Sequence, residues 1–131
     1  MHAWSVPGVV NNATLGTFFA CTNTLGSTVT IGVEIFGPAG GAALNDASAT
    51  SLAVASGGTV LFGTAAPGGL SIDINLGLVL LQKGSARILT TTSSKASQQI
   101  LCNAFVAEVG GNPPTSMTSL NVIRRNAQQG E

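Results

Sequence analysis

The sequence predicts an all-β fold: an antiparallel two-sheet sandwich of seven to nine strands, with a closed barrel as the alternative. Three observations point there. No window sustains apolar residues at i, i+3, i+4 and i+7 with Glu or Lys on the opposite face, so helix signals are almost missing. Gly, Thr, Ser and Val are spread along the chain, which suits pleated strands and tight turns. Short apolar runs of period two alternate with Gly, Pro and Asn breaks. At 131 residues the chain is long enough for one domain and one core. No internal repeat or second domain is visible.

Taken in order, Ala3 to Asn12 is apolar and ends in Asn11-Asn12. Residues 1–12 are either the first strand or an extension that adds to the sheet edge of a neighbouring copy. Gly16 to Asn23 places Phe19 and Cys21 on a shared face. Thr28 to Ile35 is the clearest strand, because Val29, Ile31, Val33 and Ile35 alternate with polar or small residues. The Gly37 to Gly41 loop ends it. Ser51 to Val54 and Thr59 to Thr64, separated by Ala55-Ser56-Gly57-Gly58, read as a hairpin with Leu52, Val54, Val60 and Phe62 inward. Ile72, Ile74 and Leu76 alternate around Asp73 and Asn75. Ser85 to Thr91 follows a Lys83-Gly84 turn, with Ala86 and Ile88 facing one way. Ile100 to Val109 is apolar on both faces and so belongs inside a sheet. After the Gly110 to Pro114 break, Met117 to Ile123 is the last strand, with Leu120 and Val122 inward. A polar tail, 124–131, carries Arg124-Arg125, charges that guard an edge from stray pairing.

Two cysteines, Cys21 and Cys102, lie 81 residues apart inside apolar runs, which excludes a C-x-x-C redox or zinc motif. One disulfide joining an early strand to a late one fits; two buried thiols acting as small hydrophobes are the alternative. In the sandwich reading the pair bridges the two sheets. A disulfide implies an oxidising compartment, extracellular or periplasmic. The opening residues have neither a basic nor an apolar signal region, so the chain is either kept in the cytoplasm or a mature form.

The layout of short strands and paired cysteines resembles immunoglobulin-like sandwiches. The run Ser51 to Phe62 looks like the strand-turn-strand step of small exported bacterial sandwich proteins. The resemblance implies the fold class and carries no functional residues across. The chain departs from antibody-type domains: no Trp lies between the cysteines, and there is no Tyr for a tyrosine corner.

Charged residues are 8% of the chain, and five bases balance five acids. That excludes disorder driven by charge, a nucleic-acid binder working through a basic field, and a coiled coil. No run approaches the ~18 apolar residues of a membrane helix. Chemistry is equally sparse. The one histidine, His2, sits beside the terminus, so a triad or a zinc site has no imidazole to build on. Glu34 and Glu108 lie in strong strand patterns and read as outward-facing rather than as a catalytic pair. Asp73-Ile74-Asn75 starts like a calcium loop but lacks its remaining ligands. The Gly-rich loops lack the Lys of a phosphate cradle. Asn12-Ala13-Thr14 is a glycosylation triplet. Trp4 is the one aromatic available as a sugar platform, since the five Phe read as core.

The expected function is therefore non-enzymatic, without cofactor or metal. The chain reads as an extracellular structural or surface protein, a self-associating subunit of a filament, sheath or surface layer. A small ligand- or carbohydrate-binding module is the alternative. So little charge gives a monomer poor protection from association.

Overall fold

The computed structural model describes residues 2–12, 14–65, 70–77, 80–92, 99–109 and 117–124. Among them are ten strands in two five-stranded sheets, and the fold is all-β. In chain order these are β1 (His2–Asn11), β2 (Leu15–Asn23), β3 (Val29–Phe36), the single-turn helix α1 (Ala47–Thr50), β4 (Leu52–Val54), β5 (Thr59–Gly63), β6 (Ile74–Asn75), β7 (Leu81–Thr90), β8 (Ile100–Glu108), β9 (Met117–Leu120) and β10 (Ile123–Arg124). The first sheet runs β10-β1-β7-β3-β4 and the second β6-β5-β2-β8-β9. Pairing is antiparallel except between β5 and β6.

Period-two alternation builds the core. Val29, Ile31, Val33 and Ile35 of β3 are all buried, as the alternation requires, and Val6, Val9 and Ile88 join them from β1 and β7. The second sheet answers with Phe19, Cys21, Val60, Phe62, Ile100 and Ala104. Each large side chain buried this way contributes about 1.5–3 kcal/mol.

Two polar ties lock sheet to sheet. The Trp4 indole N–H on β1 donates to the Ile100 carbonyl at 2.9 Å. Thr17, wholly buried on β2, donates its hydroxyl to the Val10 carbonyl at 2.7 Å and accepts from the Val10 N–H at 2.9 Å. Asn23 does comparable work at the far end of β2. Its amide donates to the Ser27 and Val54 carbonyls, and its oxygen accepts from the Leu25 N–H.

Several expectations need correction. The disulfide forms, but it does not bridge the sheets. Cys21 and Cys102 face each other directly on β2 and β8, neighbours in the second sheet, with Cα atoms 4.1 Å apart. That separation belongs to a non-hydrogen-bonded antiparallel pair, where side chains approach closest. Residues 51–64 are not a hairpin either, because β4 pairs with β3 while β5 pairs with β2 in the other sheet. The turn between them is an arch, made by Gly57 at φ +80 and held to both backbone groups of Asn23. Leu52 lies opposite the buried Ile31, as an inward residue should, but at the end of edge strand β4 it is 36% exposed.

Lys83-Gly84 is no turn. β7 continues through it, and β1 shifts register where Val9 meets Gly84. Only glycine fits there, since a Cβ would stand 2.5 Å from the Phe36 carbonyl oxygen. The final strand is two strands: β9 closes one sheet, and after Asn121-Val122 the chain crosses to β10 at the edge of the other. Leu120 and Val122 do pack against the core.

β1 takes the first of its two readings, a strand of its own domain, lying between β10 and β7. β8 lies inside its sheet, and on its outer face Leu101 stands exposed while Ala107 is buried. Helix α1, for which the apolar pattern gives no signal, is one turn capped by Asp46. The 110–114 break, the 68–69 glycines and tail residues 125–131 lie outside the described residues.

Candidate functional site

With the inner faces spent on the core, the two outer faces carry whatever this domain presents to other molecules. They differ sharply in chemistry.

On the first sheet the outward positions of the central strands include a charged pair. Register places Glu34 of β3 opposite Arg87 of β7, and Arg87 opposite Ser5 of β1. The Arg87 Nη2 lies 3.2 Å from the Glu34 Oε1, and its guanidinium sits 4.6 Å from the centre of the Phe36 ring. Both charged groups keep contact with water, so the pair contributes at most about 1 kcal/mol. Pro7, Ser85 and Ile123 complete the walls of a shallow cleft of about 530 Å³ around Arg87. Helix α1 and Ser51 cover the other end of this face, over Gly32, where a Cβ would stand 3.2 Å from Ser51 Cβ. The Asp46 carboxylate there accepts from the Ser48 hydroxyl at 2.6 Å and from its N–H at 3.1 Å. Those bonds, the hydroxyl one foremost, hold its pKa below the ordinary carboxylate value.

The second sheet shows the opposite character. By register its outward positions are Gly16, Phe18, Ala20 and Thr22 on β2, and Thr59, Leu61 and Gly63 on β5. Leu101, Asn103, Phe105 and Ala107 follow on β8, with Met117 and Ser119 on β9. None carries a charge. Phe18 and Phe105 stack across the pair with centroids 5.4 Å apart. Phe18 also covers Gly63, where a Cβ would meet its ring at 2.9 Å, so an outward aromatic fills the gap left by a neighbouring glycine. The Thr22 and Thr59 hydroxyls satisfy each other at 2.7 Å. A hollow of about 410 Å³ lies between Ala20, Asn103, Phe105, Met117 and Ser119. Beside it Leu101 and Met117 are more than half exposed.

The residues singled out by sequence fall as follows. Trp4 is half-buried, packed on the core, with its N–H committed to Ile100. Cys21 and Cys102 are joined. Glu34 and Glu108 belong to different sheets. Asp73 pairs with β5: its carboxylate accepts from the Leu61 N–H at 2.8 Å. Asn12 spends its side-chain oxygen on the Thr14 and Leu15 N–H groups, forming the β1–β2 turn. Of the five Phe, Phe18, Phe36 and Phe105 lie on outer faces instead of in the core cluster. Among the described residues no three His, Cys, Asp or Glu side chains cluster as metal ligands. No described helix is long and apolar enough to cross a membrane.

Sequence reasoning did not find the Arg87–Glu34–Phe36 group. Its trace was Glu34-x-Phe36 and Ser85-x-Arg87, two outward i, i+2 pairs that pairing of β3 with β7 brings together. Comparison with protein-family models, with curated proteins and with solved structures found no match. Fold and surface define the class, a two-sheet β-sandwich with a cross-strand disulfide.

Proposed function

We propose that this chain is a non-enzymatic structural or surface protein of an extracellular or periplasmic compartment, acting as a self-associating subunit. One observation carries the reading. Large apolar side chains stand in solvent, Leu80 66%, Leu101 55%, Ile123 55% and Met117 54% exposed, on a chain with only 8% charged residues. Water disfavours such groups, and little charge opposes contact between copies. The disulfide supports the compartment, because thiols stay reduced in the cytosol. Sedimentation velocity over a wide concentration range tests the reading. Growth in size with concentration supports it, and a monomer at every concentration refutes it.

The cleft around Arg87 favours a second reading, a small-ligand or carbohydrate module. Its volume falls within the ~300–1,000 Å³ common for ligand sites, and among the described residues the guanidinium over Phe36 spends a donor on Glu34 alone. Titration with mono- and oligosaccharides, followed by NMR at the Arg87 side chain, tests it. Unmoved signals at millimolar sugar remove this reading.

A further inference from the structure

Resting on the second reading, we propose that the cleft around Arg87 takes an acidic oligosaccharide, with its carboxylates held by Arg87 and Lys83.

Shape is the first argument. The cleft does not end at Ser85. A second hollow of about 340 Å³, lined by Gly37, Pro38, Lys83 and Gly84, shares Ser85 with it. The two form one groove along the outward side of β7. Residues 37–40 wall one flank, and Pro7 of β1 and Ile123 of β10 wall the other at the Arg87 end. Lys83, Ser85 and Arg87 alternate along the strand, so the two cations stand about 13 Å apart at ~3.3 Å per residue. A small molecule is normally enclosed over most of its surface. This groove is shallow and follows a strand, which suits a chain lying across the sheet.

Charge is the second. Among the described residues the bases Lys83, Arg87 and Arg124 all lie on the first sheet. Asp73 and Glu108 go with the second sheet, and Asp46 caps α1 at the other end of this face. That leaves Glu34 as the acid beside two cations of β7. The Lys83 ammonium has no ion-pair partner among the described residues. Arg87 meets Glu34 through Nη2, and among the described residues its Nε and Nη1 have no acceptor. The groove is therefore net positive and draws anions, and a planar guanidinium matches a carboxylate.

Chemistry selects the occupant. β7 is paired along both edges, by β1 and β3, so a peptide has no edge to join here as a strand. A nucleic acid needs a platform for its bases, and one face of the Phe36 ring is covered by the guanidinium. A sugar chain needs neither. Its apolar ring faces would lie on Pro7 and Ile123, and its hydroxyls would meet the Ser85 hydroxyl, which has no partner among the described residues.

The test is titration calorimetry of the full disulfide-bonded chain with hexagalacturonate and hexamannuronate, each beside its methyl ester, which keeps the sugar body and removes the charge. The variants are R87Q, K83Q and E34Q. All three side chains reach solvent, and far-ultraviolet circular dichroism confirms each fold. We expect an acid to bind and its ester to bind about tenfold more weakly or worse. R87Q should weaken the acid by about tenfold, and K83Q by about threefold. E34Q should tighten it by about two- to fivefold, because Glu34 competes for the same guanidinium; a purely structural role for the pair predicts no gain. An ester that binds as well as its acid overturns the acidic ligand and leaves a carbohydrate module standing. Acid binding that survives R87Q unchanged overturns this groove. Silence from both acids at millimolar concentration overturns the proposal, while the titration with neutral sugars decides the carbohydrate reading on its own.

Discussion

Replacing Asn23 with alanine isolates the polar knot at the end of β2. The side chain is wholly buried and makes three bonds, to the Ser27 carbonyl at 2.8 Å, the Val54 carbonyl at 2.9 Å and the Leu25 N–H at 2.9 Å. Truncation strands the buried Val54 carbonyl at about 1–3 kcal/mol. The Ser27 and Leu25 groups lie nearer water, and losing their bonds costs about 0.5–1.5 kcal/mol each. The sum is about 2–6 kcal/mol, a large fraction of a domain's total stability. Urea unfolding with the disulfide intact reads it directly. With a slope of about 1.5–2 kcal/mol/M, the midpoint should fall by at least 1 M at unchanged slope. Asn103→Ala, at an exposed position of β8, is the control and should stay within about 0.5 kcal/mol. A loss under about 1 kcal/mol for Asn23→Ala, at unchanged slope, would refute the claim that this amide holds the arch.

Removing the disulfide as Cys21→Ala/Cys102→Ala frees a loop of 81 residues, and chain entropy assigns that about 4.5 kcal/mol; thiol alkylation of the unreduced parent should label nothing. Gly84→Ala should cost at least 1–3 kcal/mol in thermal unfolding, because the Phe36 carbonyl occupies the space, whereas Gly26→Ala, with nothing within 4 Å, should be neutral or slightly stabilising. Asp46 titrates lower folded than unfolded, so its contribution is complete above the ordinary value of 3.8 and fades as pH falls through the lower folded one. NMR should therefore show the Ser48 amide shift following a carboxyl that titrates below 3.8, and a titration at or above that value would contradict the cap.

The strands were legible because one physical signal, alternation of apolar side chains, is local. β2, β3 and β8 can be read from it almost to their ends. Where the reading failed, the deciding contact lay far away in sequence. Ala55 to Gly58 looks like a hairpin turn, but whether an arch stays in one sheet or crosses to the other depends on Asn23, more than 30 residues earlier. Gly84 looks like a turn residue, and it is instead the place where the Phe36 carbonyl passes close to β7. On the candidate surface, Leu101 and Phe105 were legible as apolar and their exposure was not. Burial depends on what lies above a sheet, and no residue in the strand itself encodes that.

Composition and periodicity alone determined the all-β class, the inward residues of each long strand, and the presence of two cysteines placed to be paired. Sheet membership, the cross-strand placement of the disulfide, and the contrast between a charged and an uncharged outer face were decided only in three dimensions. The reason is that a strand's hydrogen-bonding edge is the same backbone whatever its sequence. Its partner is chosen by which packing of all the strands at once buries the alternate faces and leaves no buried polar group unmatched.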